Sequence, residues 1–217
     1  MSARKAQRLA QFPAADIYVV TCAPLSRGRT NDDVLEAVIA GGGRMIQLRD
    51  KDASPRAFHL MAQRFRQRTR EAGVLLIIND YLDVALAVDA DGVHLGQDDL
   101  PLEAARRIAP DLIIGRSTHS LQQALEAQAG GADYINIGPI FPTGTKEHSA
   151  PLGPEAIRTI APHLHIPFTV MGGINLSNID DVVAAGARRI AVVTAVTQAD
   201  DMAAAVRALR ARIPGAA

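Results

Sequence analysis

Three side chains in the stretch QLRDK, those of Gln47, Arg49 and Lys51, stand two residues apart. While a chain stays extended, that spacing turns all three to one side. An amide, a forked guanidinium and a point-like ammonium would then face one space, a set suited to phosphate oxygens. A charged strand end facing water is the plain alternative, and the apolar run leading into these residues favours the cavity. Asp80 and Asp99 follow two later apolar runs. On neighbouring strand ends their carboxylates would repel unless a cation lay between them. Mg²⁺, which takes one or two carboxylates together with water and substrate phosphate oxygens, is the natural mediator. Helix capping competes with that role, by Asp80 for a helix opening at Tyr81 and by Asp99 for one opening at Pro101. On chemistry alone Asp98 is interchangeable with Asp99.

Further along, PTGTKEHS (Pro142 to Ser149) reads as a phosphate-gripping flap. Gly144 gives it freedom, Thr143 and Thr145 can donate hydrogen bonds, and Lys146 can offset charge on a phosphate. In MGGIN, the glycines 172 and 173 precede a helix signal, where backbone N–H groups can approach a phosphate with no Cβ in the way. Thr194 follows the last apolar run and adds a hydroxyl. His119 beside Ser117 is a candidate acid or base, but no Asp or Glu is placed to orient it, so a Ser-His-Asp triad has little support. His94, inside GVHLG, reads as a satisfied interior or rim histidine, and Cys22 as a small buried hydrophobe.

Eight β-rich apolar runs position these residues: Ile17 to Thr21, Arg44 to Leu48, Val74 to Ile78, Gly92 to Leu95, Leu112 to Gly115, Tyr134 to Gly138, Pro167 to Met171 and Ile190 to Thr194. They are continuous rather than alternating, as strands covered on both faces of a parallel sheet are. Between them lie helical patterns such as Pro55 to Ala72, Ser120 to Gly130 and Asp200 to Ile213. Asn31 and Ser120 are candidate N-caps, Pro55 and Pro154 mark first turns, and Gly41, Gly73, Gly130 and Gly186 lie just past helix ends. This alternation predicts a single-domain (β/α)8 TIM barrel of the α/β class, with a doubly wound open sheet as competitor. The polar residues collect after the strand signals, at the end where such a barrel gathers its functional groups.

At 217 residues and 48% hydrophobic, the chain suffices for one core. We read residues 1–15 as an N-terminal extension and 16–217 as the catalytic barrel. With 23 basic against 23 acidic residues, no overall field draws it to nucleic acid or a membrane, and 4% aromatics supply little stacking surface. A single cysteine excludes an internal disulfide. No signal-peptide core and no span of ~20 apolar residues is visible. A cytoplasmic setting and small-molecule partners are expected, with the oligomeric state open, a homo-oligomer included.

QLRDK, IINDYLDVAL, ADGVHLGQDDLP, GRSTHS, GADYINIGPIFPTGTK and MGGIN, in this order and spacing, resemble the thiamine-phosphate synthase family. The resemblance runs from about Ile17 to Ala195 and implies a TIM barrel. Such an enzyme joins 4-amino-5-hydroxymethyl-2-methylpyrimidine diphosphate to 4-methyl-5-(2-phosphoethyl)thiazole, or its carboxylate, and releases diphosphate with Mg²⁺. By the same resemblance Gln47, Arg49, Lys51 and Asn79 contact the pyrimidine diphosphate, and Asp80 and Asp99 hold Mg²⁺. Ser117 and Lys146 contact diphosphate or pyrimidine, while Thr143, Thr145, Gly173 and the Val193 to Thr194 backbone bind the thiazole phosphate. Arg49, Lys51, Lys146 and Ser117 are the groups implied in catalysis. Thr194 stands where the family usually has Ser, and Cys22 where Asp is frequent. The implied reaction is a dissociative substitution that needs no protein nucleophile. A thiazole tautomerase of the same fold and a non-catalytic phosphate-ligand binder are the alternatives.

Overall fold

A computed structural model describes residues 2–144 and 150–215. Its strands are β1 (Ile17–Val20), β2 (Met45–Leu48), β3 (Leu75–Asn79), β4 (Gly92–Leu95), β5 (Ile113–Thr118), β6 (Tyr134–Ile137), β7 (Phe168–Met171) and β8 (Ile190–Val192). They pair in parallel in sequence order, and β8 returns to β1 to close the barrel. The helices are α1 (Ala3–Gln11), α2 (Asn31–Ala40), α3 (Pro55–Ala72), α4 (Leu82–Ala87), α5 (Leu102–Ile108), α6 (Leu121–Ala129), α7 (Glu155–Ile160), α8 (Ile179–Ala184), α9 (Thr194–Thr197) and α10 (Met202–Arg210). The architecture is the expected (β/α)8 barrel rather than the open sheet. Among the described residues no helix is long and apolar enough to cross a membrane.

Local sequence explains the helix bounds. α3 starts where Ser54 accepts the Ala57 N–H with Pro55 in the first turn, and ends at Gly73 in the left-handed region. Its buried Phe58, Ala62, Phe65 and Thr69 recur at helical spacing on the face turned to the sheet. Ser120 caps α6 as expected. At α2 the cap is Thr30, one residue earlier than the expected Asn31. Thr30 and Asp33 form a reciprocal capping box, which frees Asn31 to donate from its amide to Asp50.

Alternation along the strands divides the core in two. Ile17, Val19, Ile46, Leu76, Ile78, Val93, Ile114 and Ile135 face the helices. Tyr18, Met45, Leu75, Ile77, Ile113, Tyr134 and Ala191 fill the barrel interior. Both faces are therefore apolar, which is why the runs look continuous in sequence.

The end of the barrel away from the polar rim is closed by the N-terminal segment. Arg8 of α1, 5% exposed, donates to the Asp111 and Ala90 carbonyls and to Asp89. Phe12 enters the interior cluster with its ring 4.9 Å from that of Tyr134. Gly115 makes room for the same tyrosine, because a Cβ at Gly115 would overlap the Tyr134 ring. Gly115→Ala should therefore lower the unfolding free energy by about 1–3 kcal/mol in urea denaturation, the usual range for overpacking a filled core.

Candidate active site

The C-terminal strand ends surround a cavity of about 290 Å³. Gln47, Arg49, Lys51, Asn79, Asp80, Asp99, Ser117, Thr143 and Val193 all line it, although they come from six different stretches of the chain. Gly173 and Thr194 do not line it; their neighbours Gly172 and Val193 do. Thr145 and Lys146, with the rest of that loop to Ser149, lie outside the described residues. Two strand ends shift by more than one residue from expectation. β5 runs on to Thr118, so Ser117 is a strand residue, and β8 stops at Val192, which leaves Thr194 to begin α9.

On the cationic side, Thr21 fixes the Arg49 backbone by accepting its N–H at 2.8 Å and donating to its carbonyl at 2.9 Å. The Arg49 guanidinium meets the buried Cys22 thiol at 3.6 Å. Among the described residues no carboxylate forms a salt bridge with Arg49 or Lys51. An Asp at position 22 would neutralise that guanidinium, whereas a thiol, a weak acceptor, leaves its charge available for an anion.

On the anionic side, neither carboxylate caps a helix: α4 and α5 begin after Tyr81 and Pro101 with no side-chain cap. Asp99 instead accepts the Gly96 N–H at 2.6 Å. Asp80 sits at φ +62° and donates its own N–H to the His94 carbonyl. Its carboxyl is pushed up from the ordinary 3.8 to about 6, first by burial and then by the facing Asp99, while Lys51 pulls the other way. Asp98 also lines the cavity but is exposed, which favours Asp99 as the partner carboxylate. Among the described residues no three His, Cys, Asp or Glu groups cluster. Two facing carboxylates beside open cavity nevertheless fit Mg²⁺, whose other ligands are usually waters and phosphate oxygens.

Between the two sides runs a chain of hydrogen bonds that the sequence reading misses. Gln47 Nε2 meets Tyr18 Oη at 2.5 Å, Tyr18 Oη meets Tyr134 Oη at 3.1 Å, and Tyr134 Oη meets His94 Nδ1 at 2.9 Å. His94 Nε2 then meets Ser117 Oγ at 2.9 Å. His94 is thus the satisfied interior histidine expected, and it also lines the cavity. Asn136 is a further missed lining residue. The available signal was a polar side chain at every second position within otherwise apolar strands. His119 lines the cavity too, but its Nδ1 bonds the Gly138 carbonyl, so a backbone group rather than a carboxylate orients it.

Past β7, Gly172 and Gly173 have positive φ, and a Cβ on either would collide with the Pro139 to Pro142 segment. The pair therefore serves close packing of the loop after β6 against the end of β7.

The family model described as thiamine monophosphate synthase matches residues 17–196. A thiamine-phosphate synthase of Chloroflexus aurantiacus is 52% identical over 91% of this chain and 92% of its own length. One from Shouchella clausii is 47% identical over 90% and 94%. The solved thiamine phosphate pyrophosphorylase of Pyrococcus furiosus superposes with a TM-score of 0.86 at 40% identity, covering 92% of this chain and 96% of that one.

The Asp80 carboxyl yields a test of the electrostatics. A carboxyl whose pKa rises on folding adds stability below its ordinary pKa and forfeits it as pH climbs through the raised value. Asp80→Asn, which tolerates the same left-handed backbone, should therefore stabilise the metal-free protein near neutral pH by about 1 kcal/mol, allowing for partial exposure. That gain should vanish below about pH 4, as read by urea denaturation across the pH range.

Proposed function

Because this chain belongs to the thiamine monophosphate synthase family, whose members are transferases, we propose that it couples 4-amino-5-hydroxymethyl-2-methylpyrimidine diphosphate to 4-methyl-5-(2-phosphoethyl)thiazole, or its carboxylate. The products are thiamine phosphate and diphosphate. The observation that carries this reading is one cavity lined by Arg49 and Lys51 together with the facing Asp80 and Asp99.

In the proposed reaction the C–O bond to diphosphate breaks with both electrons leaving on oxygen, and the electron-rich aminopyrimidine carries the resulting positive charge. The thiazole nitrogen then supplies the pair for the new C–N bond. Asp80 and Asp99 would hold Mg²⁺, which supplies charge neutralisation for the leaving diphosphate. Arg49, Lys51 and Lys146 stabilise the negative charge that grows on the departing oxygens. Gln47, Asn79 and Ser117 hold the pyrimidine end. Thr143, Thr145, Gly173 and the Val193 to Thr194 backbone hold the thiazole phosphate. No side chain needs to attack, which accords with a site that shows no Ser-His-Asp arrangement among its described residues. Isomerising the thiazole alone would leave the carboxylate pair and Arg49 without a task. A cytoplasmic setting belongs to the same proposal, on the strength of a single buried cysteine.

Diphosphate release with both substrates and Mg²⁺ is the test. Activity should disappear when the metal is chelated and return when Mg²⁺ is restored. Arg49→Met and Lys146→Met should each lower kcat on the order of 100-fold with little change in melting temperature. A folded parent protein that releases no diphosphate would refute the transferase.

A further inference from the structure

The row Gln47, Arg49 and Lys51 runs off the end of β2, and each of the three is held differently. Gln47 lies inside the strand, where the Thr21 N–H reaches its carbonyl at 3.0 Å. Arg49 lies just beyond Leu48, the last residue of the strand. Continued at the register that pairs Val20 with Gln47, the ladder would satisfy Arg49 from the backbones of Thr21 and Ala23. The chain instead leaves the sheet in a 3₁₀ turn over Ala23–Leu25. A side chain, the Thr21 hydroxyl, takes up both of the Arg49 backbone groups.

The direction of these two bonds is fixed by the backbone. An amide N–H can only donate and a carbonyl can only accept, so the hydroxyl gives its one proton to the Arg49 carbonyl and receives the N–H on a lone pair. One oxygen can serve the N–H and the C=O of the same residue only while the two point the same way, as they do in an extended chain. A helical conformation at Arg49 would turn them apart and end the alternation that sets the guanidinium beside Gln47. Thr21 is 0% exposed and branched at Cβ, so its own rotamer is restricted. The next residue, Cys22, meets the guanidinium at 3.6 Å. Lys51 is anchored separately. Between it and Arg49, Asp50 accepts from the Asn31 amide of α2 at 2.9 Å and from the Asp52 and Ala53 N–H groups at 3.1 Å.

We propose that Thr21 is a positioning residue for Arg49 and not for Lys51, its hydroxyl standing in for the strand that has turned away so that the guanidinium is already aimed when diphosphate arrives. This inference rests on the diphosphate site proposed above. Without the hydroxyl, the Arg49 amide and carbonyl lose their partner and the backbone there is free to twist. A long side chain that its ligand must first order binds that ligand less tightly. Lys51, held through Asp50, keeps its place.

Double-mutant cycles on the full-length protein, read as inorganic diphosphate binding by titration calorimetry with Mg²⁺, test this. Arg49→Met should weaken binding roughly 10- to 100-fold. Thr21→Val, which keeps the shape and removes the hydroxyl, should weaken it about 3- to 10-fold, and Thr21→Ser, which keeps the hydroxyl, should bind like the parent. The combination Thr21→Val with Arg49→Met should bind no more weakly than Arg49→Met alone. Combined with Lys51→Met, Thr21→Val should still exact its full loss. A merely structural role would weaken binding by the same factor in all three backgrounds. Thr21→Ala removes the same hydroxyl and takes the place of Thr21→Val should that variant not fold. Parent-like binding by Thr21→Val, or an equal loss with and without the Arg49 guanidinium, would overturn the proposal while leaving the diphosphate site standing. A parent that binds no diphosphate would overturn both. Diphosphate release from the two substrates is scored separately: a protein that passes the cycle but does not couple them counts against the transferase and for the role of Thr21.

Discussion

Two carboxylates held face to face in a half-buried pocket cannot both stay charged at little cost without a cation between them, and the rim of this barrel is arranged around that fact. Asp80 occupies an unfavourable left-handed backbone conformation, and its carboxyl is raised to about 6 beside Asp99. The same cavity is lined by Arg49, its guanidinium against a thiol, and by Lys51. A cation and a polyanion together satisfy both sides. Local destabilisation at the rim is tolerated because the closed barrel beneath is packed on both faces.

The barrel interior adds a second constraint. Apolar side chains dominate it, yet Tyr18, Tyr134 and His94 pass through it toward the rim. Their polar atoms are tolerable there because each finds a partner. The Phe12 ring and the space left by the missing side chain of Gly115 together hold the Tyr134 ring in place. The N-terminal segment thus contributes to the floor of the site as well as closing the barrel.

The barrel was legible in the sequence because burial on both faces makes parallel strands conspicuous. β5 was read short because Arg116, Ser117 and Thr118 break its apolar run, although all three remain in the strand. Thr30 and Asn31 both suit an N-cap, and only the reciprocal bond with Asp33 separates them. Gln47, Arg49, Lys51, Asp80 and Asp99 stood out because charged or amide groups directly after apolar runs have few reasons to be there. Tyr18 and Tyr134 did not, because a tyrosine in an apolar strand looks like core until ring closure brings the side chains of β1 and β6 together inside the barrel. The metal-or-cap ambiguity at Asp80 and Asp99 likewise needed three dimensions, since either role uses the same residue before a helix.

If metal and fixed cations act together on one diphosphate at this rim, their binding must be coupled. Calorimetric titration of inorganic diphosphate into the protein, with and without Mg²⁺, measures that coupling. Mutual strengthening is expected, each of the two binding more tightly in the presence of the other by the same factor, as linkage requires. Diphosphate binding that is indifferent to Mg²⁺ would show that the carboxylate pair and the cations do not serve one ligand.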